Sequence, residues 1–210
     1  NDARLGLGYK LDKFISNIAR KVEAGQSFEN YAPILEMICR SYGRGWLSLA
    51  RWHLETGTTD NLEKAKAELT RYLEQQPAEM DAAEAWRLLG HACYRSGDKL
   101  GEIHAFIERA QLASVPYFDI SNTANRLNAM LRESELVVDK DEKRHLALRL
   151  LGVLENRKSE ASADDLSRMA WLAMHTDQQN KAIELTKAGL RLQPDNPHCL
   201  GLKDRLHIQP

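Results

Sequence analysis

Strand-forming patterns are what this sequence has least of. Val137-Val138 is its one doublet of apolar β-branched residues, and no stretch alternates apolar and polar side chains for the length of a strand. Cysteine is scarce as well. Cys39, Cys93 and Cys199 lie 54 and 106 residues apart, so no CxxC pair serves zinc or redox chemistry, and three thiols cannot all pair in one chain. That usage implies buried thiols in a reducing compartment, with the cytoplasm as the expected location. An excess of one charge is missing too, since 29 Lys and Arg face 30 Asp and Glu for a net charge of −1. A field so close to neutral favours neither nucleic acid nor an anionic membrane surface. No apolar run approaches the ~18 residues of a membrane span, and nothing has the pattern of a signal peptide.

Catalytic signatures are equally sparse. There is no GxxxxGK[ST] loop, no GxGxxG, no G-x-S-x-G elbow and no H-E-x-x-H. The seven histidines (53, 91, 104, 145, 175, 198, 207) include no i, i+4 pair, so no helical metal site is expected. Glu102 and His104 are two apart and point in different directions on a helix. Acidic pairs such as Asp164-Asp165 and Asp139/Asp141 suit helix starts, where their oxygens satisfy free N–H groups. Lys140, Lys143, Arg144, Arg149, Arg157 and Lys158 are offset by Asp139, Asp141, Glu142 and Glu155, the mixture of a solvated helix face. Neither catalysis nor a cofactor is expected.

What the sequence has in abundance is helical periodicity. Apolar residues 147, 150, 151 and 154 share one helix face, and similar spacing recurs throughout. Ser27 with Asn30 opens one segment, Asp60 precedes another, and Gly25, Gly57 and Gly97 stand where helices would stop. About ten to eleven helices of ~10–18 residues are expected. Residues 9–24 (Leu11, Phe14, Ile15, Ile18, Ala19, Val22) and 28–42 (Tyr31, Ile34, Leu35, Ile38) read as an amphipathic pair. With 43% apolar and 28% charged residues, the composition is that of a globular protein.

The helices repeat. Trp46, Leu49, Ala50 and Gly57 align with Trp86, Leu89, Gly90 and Gly97 at an offset of 40 residues, and Leu166 lies 80 residues after Trp86. Ala65 with Pro77, Ala110 with Pro116, and Ala182 with Pro194 follow in the second helices. These residues resemble the tetratricopeptide repeat, W-x₂-L-G-x₂-Y, then A-x₃-F, then P. The resemblance covers three clear copies and departs from the pattern at Leu166, Leu69 and Thr186. Extra residues between the helices of the first two copies are also similar to Sel-type repeats. The fold this implies is all-α, a right-handed α-α superhelix of tetratricopeptide-like hairpins. Its expected organisation is residues 1–43 as a helical pair or divergent repeat, then repeats over 44–79, 80–117, 118–160 and 163–197. The copy at 118–160 is degenerate, with an unusual polar stripe of Asn122, Asn125 and Asn128. Residues 198–210 form a capping helix and tail, because an end repeat cannot bury both faces.

The resemblance implies binding of a peptide or protein segment in a concave groove lined by the first helices. Counted from the Trp/Leu positions, inward places fall at Arg44, Leu47, Arg51, Leu54 and Glu55, at Glu84, Arg87, His91, Tyr94 and Arg95, and at Asp164, Ser167, Trp171, Met174 and His175. Arginine with aromatics suits carboxylate recognition. The expected groove residues are therefore Arg51, Arg87, His91, Tyr94, Arg95 and Trp171, with an acidic partner; the arginines could instead pair with Glu55 and Glu84, and Trp171 could be core. The Lys and Asn clamp of chaperone-binding members is not reproduced, since Leu47, Ser48, Arg51 and Arg87 occupy those places. RNA-reading helical repeats use basic grooves, so nucleic acid is not the expected partner. A helical region sensing RNA or a nucleotide for a larger enzyme is the alternative, and self-association is a further expectation. Because the chain opens on Asn1-Asp2 rather than Met, it is expected to be one part of a larger multidomain protein.

Overall fold

The computed structural model describes residues 9–10, 13–14, 16–18, 20–21 and 31–209, and every regular element among them is helical. Gly25, Ser27 and Asn30, with Leu11, Ile15, Ala19 and Val22 of the first amphipathic stretch, lie outside the described residues. From residue 32 onward the chain forms α1 (Ala32–Ser41), α2 (Gly45–Thr56), α3 (Thr59–Glu74), α4 (Glu79–Ser96) and α5 (Lys99–Ala110). It continues through α6 (Tyr117–Arg132), α7 (Lys140–Asn156), a short 3₁₀ turn at Lys158–Glu160, α8 (Ala163–His175), α9 (Gln179–Leu192) and α10 (Pro197–Arg205).

Local chemistry sets several of these boundaries. Thr58, not Asp60, caps α3, its side chain accepting from the Asn61 amide at 3.3 Å. Asp60 falls instead in the first turn, where a carboxylate still complements the helix dipole. Asp139 caps α7 as expected, accepting from the Glu142 amide at 2.8 Å. At α8 the cap is Ser162, joined reciprocally to Asp165 in a capping box. Gly57 and Gly97 close α2 and α4 at φ 68° and 78°, where a side chain would be strained. Asp177, 80 residues beyond Gly97, holds φ 60° after α8 with no glycine to ease it; Asp tolerates this conformation better than most residues.

The chain divides into two compact units, Asn1–Glu102 and Ile103–Pro210. In the first, α3 packs on both α2 and α4, and α2 also reaches α4. Its core holds Trp46, Leu49, Ala50, Leu62, Ala65, Leu69 and Leu88. Ala50 and Ala65 are fully buried there, and such small side chains let helix axes approach. Leu47 and Leu54, expected in the groove, belong to this core instead, at 2% and 8% exposure. The apolar content of α2 is wide enough to bury residues on both sides of the Trp46–Leu49 stripe. Ile18, Leu35 and Cys39 join the same core. Phe14 and Ile34, expected beside them, stay about two-fifths exposed.

In the second unit α8 is the hub. It packs against α6, α7, α9 and α10. Leu166, Met169, Ala170, Leu172 and Ala173 are buried on it, as are Ala182 and Leu185 on α9 and Cys199 and Leu202 on α10. Gly189 of α9 lies so close to Cys199 Sγ and the Ala163 carbonyl that a Cβ would not fit without movement. The 118–137 and 139–158 stretches form α6 and α7, which pack on each other. All three cysteines are free and buried.

Candidate functional site

The arginines of the first unit that the sequence placed in a groove are engaged by neighbours. Glu84 of α4 receives Arg87 through two hydrogen bonds, Nε to Oε2 and Nη2 to Oε1, each 2.7 Å. Arg51 of α2 donates to the same Oε1 at 2.9 Å. The Arg87 hydrogen bonds act against some loss of hydration, Arg51 adds to them, and the Glu84 carboxyl is held down at about 2. Arg44 repeats the pattern one turn away, on Asp81 at 3.5 Å. Arg95 donates from Nη1 to the Leu54 carbonyl, one of the acceptors that the end of α2 leaves without a helical partner. His91 is exposed, and Tyr94 is exposed with the Lys99 ammonium 5.7 Å from its ring. In this unit the structure brings Arg51 and Arg87 together on a single carboxylate, away from Arg95.

A second cluster is closed to substrate. His53 Nε2 stands 3.2 Å from Glu68 Oε1, and its Nδ1 is 3.2 Å from Asn61 Oδ1. His53 and Glu68 are 1% and 8% exposed, and burial pushes the Glu68 carboxyl up despite the imidazole beside it. An imidazole–carboxylate pair can share a proton, and here both partners are buried. Two of the buried thiols are shifted away from the thiolate. Burial, with Asp98 adding to it, pushes Cys93 up to about 12, and burial likewise raises Cys199. Among the described residues no group of three or more His, Cys, Asp or Glu is placed to hold a metal ion.

A concave feature of the second unit lies on α6 and α8. A cavity of about 280 Å³ is walled by Asn125, Asn128 and Arg132 of α6 at helical spacing, and by Ser167, Arg168 and Trp171 of α8. His198, in the first turn of α10, completes the rim. Two of these side chains tie the helices together: Asn128 Nδ2 donates to the Arg168 carbonyl at 2.9 Å, and Arg168 Nη1 to Ser121 Oγ at 2.8 Å. Arg168 also pairs with Asp165 at 3.0 Å. Burial would raise the Asp165 carboxyl, but hydrogen bonds from Ser121 and Ser162 and the Arg168 charge outweigh it and hold it down. Asn128 Oδ1 is buried with no hydrogen-bond partner, a costly arrangement for an amide oxygen.

Trp171 is half-buried, with one wall on this cavity. The Arg205 guanidinium of α10 lies 5.0 Å from its ring centroid, within range of a cation–π attraction. The His175 ring is 6.4 Å away, and burial, then Arg205, pushes its imidazole down. Of the inward places expected from sequence, Ser167 and Trp171 line the cavity, and of the six expected groove residues only Trp171 does. Asn125 and Asn128 had been visible as a polar stripe. Arg132 and Arg168 gave no sign, because only the packing of α6 on α8 puts them beside Trp171. No helix among the described residues is long and apolar enough to cross a membrane. No protein-family model matches the chain, and no curated protein matches it either.

Proposed function

We propose that this chain is a tetratricopeptide-like helical-repeat scaffold, wound as a right-handed α-α superhelix, that holds an extended segment of a partner protein and performs no catalysis itself. Support for the repeat comes from packing inside each unit. Within the first unit α2 touches α4 as well as α3, and within the second α8 touches α6 as well as α7 and α10 as well as α9. Stacked hairpins require that order, since each needs a neighbour to cover its apolar face. The 40-residue spacing adds to it, with Gly57, Gly97 and Asp177 all left-handed after α2, α4 and α8.

The observation that carries the binding role is the α6–α8 cavity. It combines a half-buried indole with two asparagine amides. Amides donate and accept, as a peptide backbone requires of its partner, and aromatic side chains supply much of the energy at binding hot spots. Random dodecapeptide libraries panned on the full chain test the reading, with Ala129→Phe as the uncharged variant that fills the cavity. Recovered peptides are expected to bind the variant at least tenfold more weakly and to slow amide exchange in α6 and α8. Equal binding to both proteins, with protection elsewhere, removes the site.

A further inference from the structure

The charge of the cavity goes further than its shape. Its lining holds Arg132, Arg168 and His198, and no Asp or Glu among the described residues that wall it. In a chain with a net charge of −1, that is a local reversal. Arg205 adds a further positive charge over Trp171. The two lining arginines are not equivalent. Arg168 is bound to Asp165 and Ser121 in a network only a quarter exposed, so its charge is offset and its place is structural. Arg132 pairs with the adjacent Glu133 at 3.3 Å, and their side chains are 66% and 54% exposed. An ion pair so hydrated contributes little and exchanges readily for a better acceptor.

We infer that the segment held against α6 and α8 is acidic, with a run of Asp or Glu carboxylates meeting Arg132 beside Trp171. The inference rests on the peptide-binding reading of the same cavity. Guanidinium is suited to this because its fork donates two parallel hydrogen bonds to one carboxylate. Asn125, exposed one turn from Asn128, is placed on the same wall to meet the backbone of the bound segment. Complementary charge would also speed encounter and make affinity fall with salt.

The probe is fluorescein-labelled hexaglutamate, titrated with the full chain at low salt and followed by anisotropy. Hexaglutamine, octauridylate and inorganic phosphate are the companion ligands. Hexaglutamate is expected to bind at least tenfold more tightly than hexaglutamine, and to lose at least tenfold with Arg132→Glu and several-fold with Arg132→Gln. Lys64→Glu, a charge reversal on exposed α3, should bind like the parent. Circular dichroism of each variant shows that it retains its helices, and the exposed position of Arg132 makes loss of fold the less expected result. Four outcomes overturn the inference. Hexaglutamate does not bind, or binds no better than hexaglutamine; Arg132→Glu and Arg132→Gln both bind like the parent; octauridylate binds more tightly with the same dependence on Arg132; or phosphate displaces the probe beyond chloride of equal ionic strength. Panned peptides that need the cavity while hexaglutamate fails would sink the acidic inference and leave the peptide-binding reading in place.

Discussion

Gly189 and Gly152 are both interior helical glycines, yet the same substitution should move stability in opposite directions. A methyl at Gly189 meets Cys199 Sγ at 2.5 Å, with the Ala163 carbonyl at 3.4 Å. Cys199 is fully buried, so it has little room to turn away. Overpacking of this kind costs about 1–3 kcal/mol and exceeds the helix-propensity gain from losing a glycine. Gly152 of α7 has nothing within 4 Å of the same methyl, so only the gain of up to ~1 kcal/mol remains. Urea unfolding should therefore show Gly189→Ala destabilised and Gly152→Ala stabilised. Adding Cys199→Ala to Gly189→Ala should recover part of the loss, because it vacates the contested space. At this scale the sequence marks small residues but not their reasons, since closeness between α9 and α10 depends on two segments the chain brings together only when folded.

Helix boundaries are the most legible level of this protein, because caps act over three or four residues. Asp139 and Asp165 stand at helix starts as the acidic pairs implied, the cap of α8 being Ser162 rather than either aspartate, and the pattern put Thr58's role only two residues away, at Asp60. The α8 box also ties the helix to its surroundings. Asp165 serves the cap through Ser162 and the packing through Ser121 and Arg168. Ser162→Ala removes the hydroxyl that accepts from the Asp165 amide and also donates to its carboxylate at 2.7 Å. The expected loss is about 1–2 kcal/mol, the upper part of the range for a cap, read from the urea midpoint. Ser159→Ala, on an exposed 3₁₀ turn, is the control and should change little. The amphipathic faces were less legible than the caps. Leu47 and Leu54 look like groove residues when counted from Trp46, yet they are core, since a 3.6-residue period does not say how wide a helix's buried face will be.

For the molecule as a whole, buried and paired carboxylates set how stability responds to acid. Glu84 is depressed to about 2 by Arg87 and Arg51, and Asp165 is depressed in the same direction. A lowered folded pKa means the stabilisation is complete above the unfolded value of ~4.3 and is lost as pH falls through the folded value. Glu68 has the opposite sign. Burial raises it, so its contribution is greatest when protonated and is lost as pH rises through its folded pKa. Glu84→Gln should thus be less stable than the parent at pH 7, with the gap in urea midpoint closing between about pH 4.5 and pH 2. Trp46, Trp52 and Trp86 all lie in the unit that holds Glu84, so indole emission is a suitable readout. A gap that stays constant over that window would mean the two arginines do not stabilise the ionised carboxylate.

The order of residues alone determined that this chain is helical, where several of its helices begin or stop, and that Trp46, Leu49 and Gly57 stand 40 residues before Trp86, Leu89 and Gly97. Each of those follows from interactions within a few positions along the chain. Tertiary packing decided that Arg51 shares the Glu84 carboxylate with Arg87 and what surrounds Trp171. Arg51 and Arg87 meet Glu84 across and along two helices, while α6 laid on α8 surrounds Trp171 with cationic and amide groups. The physical reason is range. A helix period brings Arg87 to Glu84 within one turn of the same helix, whereas the second arginine on that carboxylate, Arg51, comes from a helix 33 residues away.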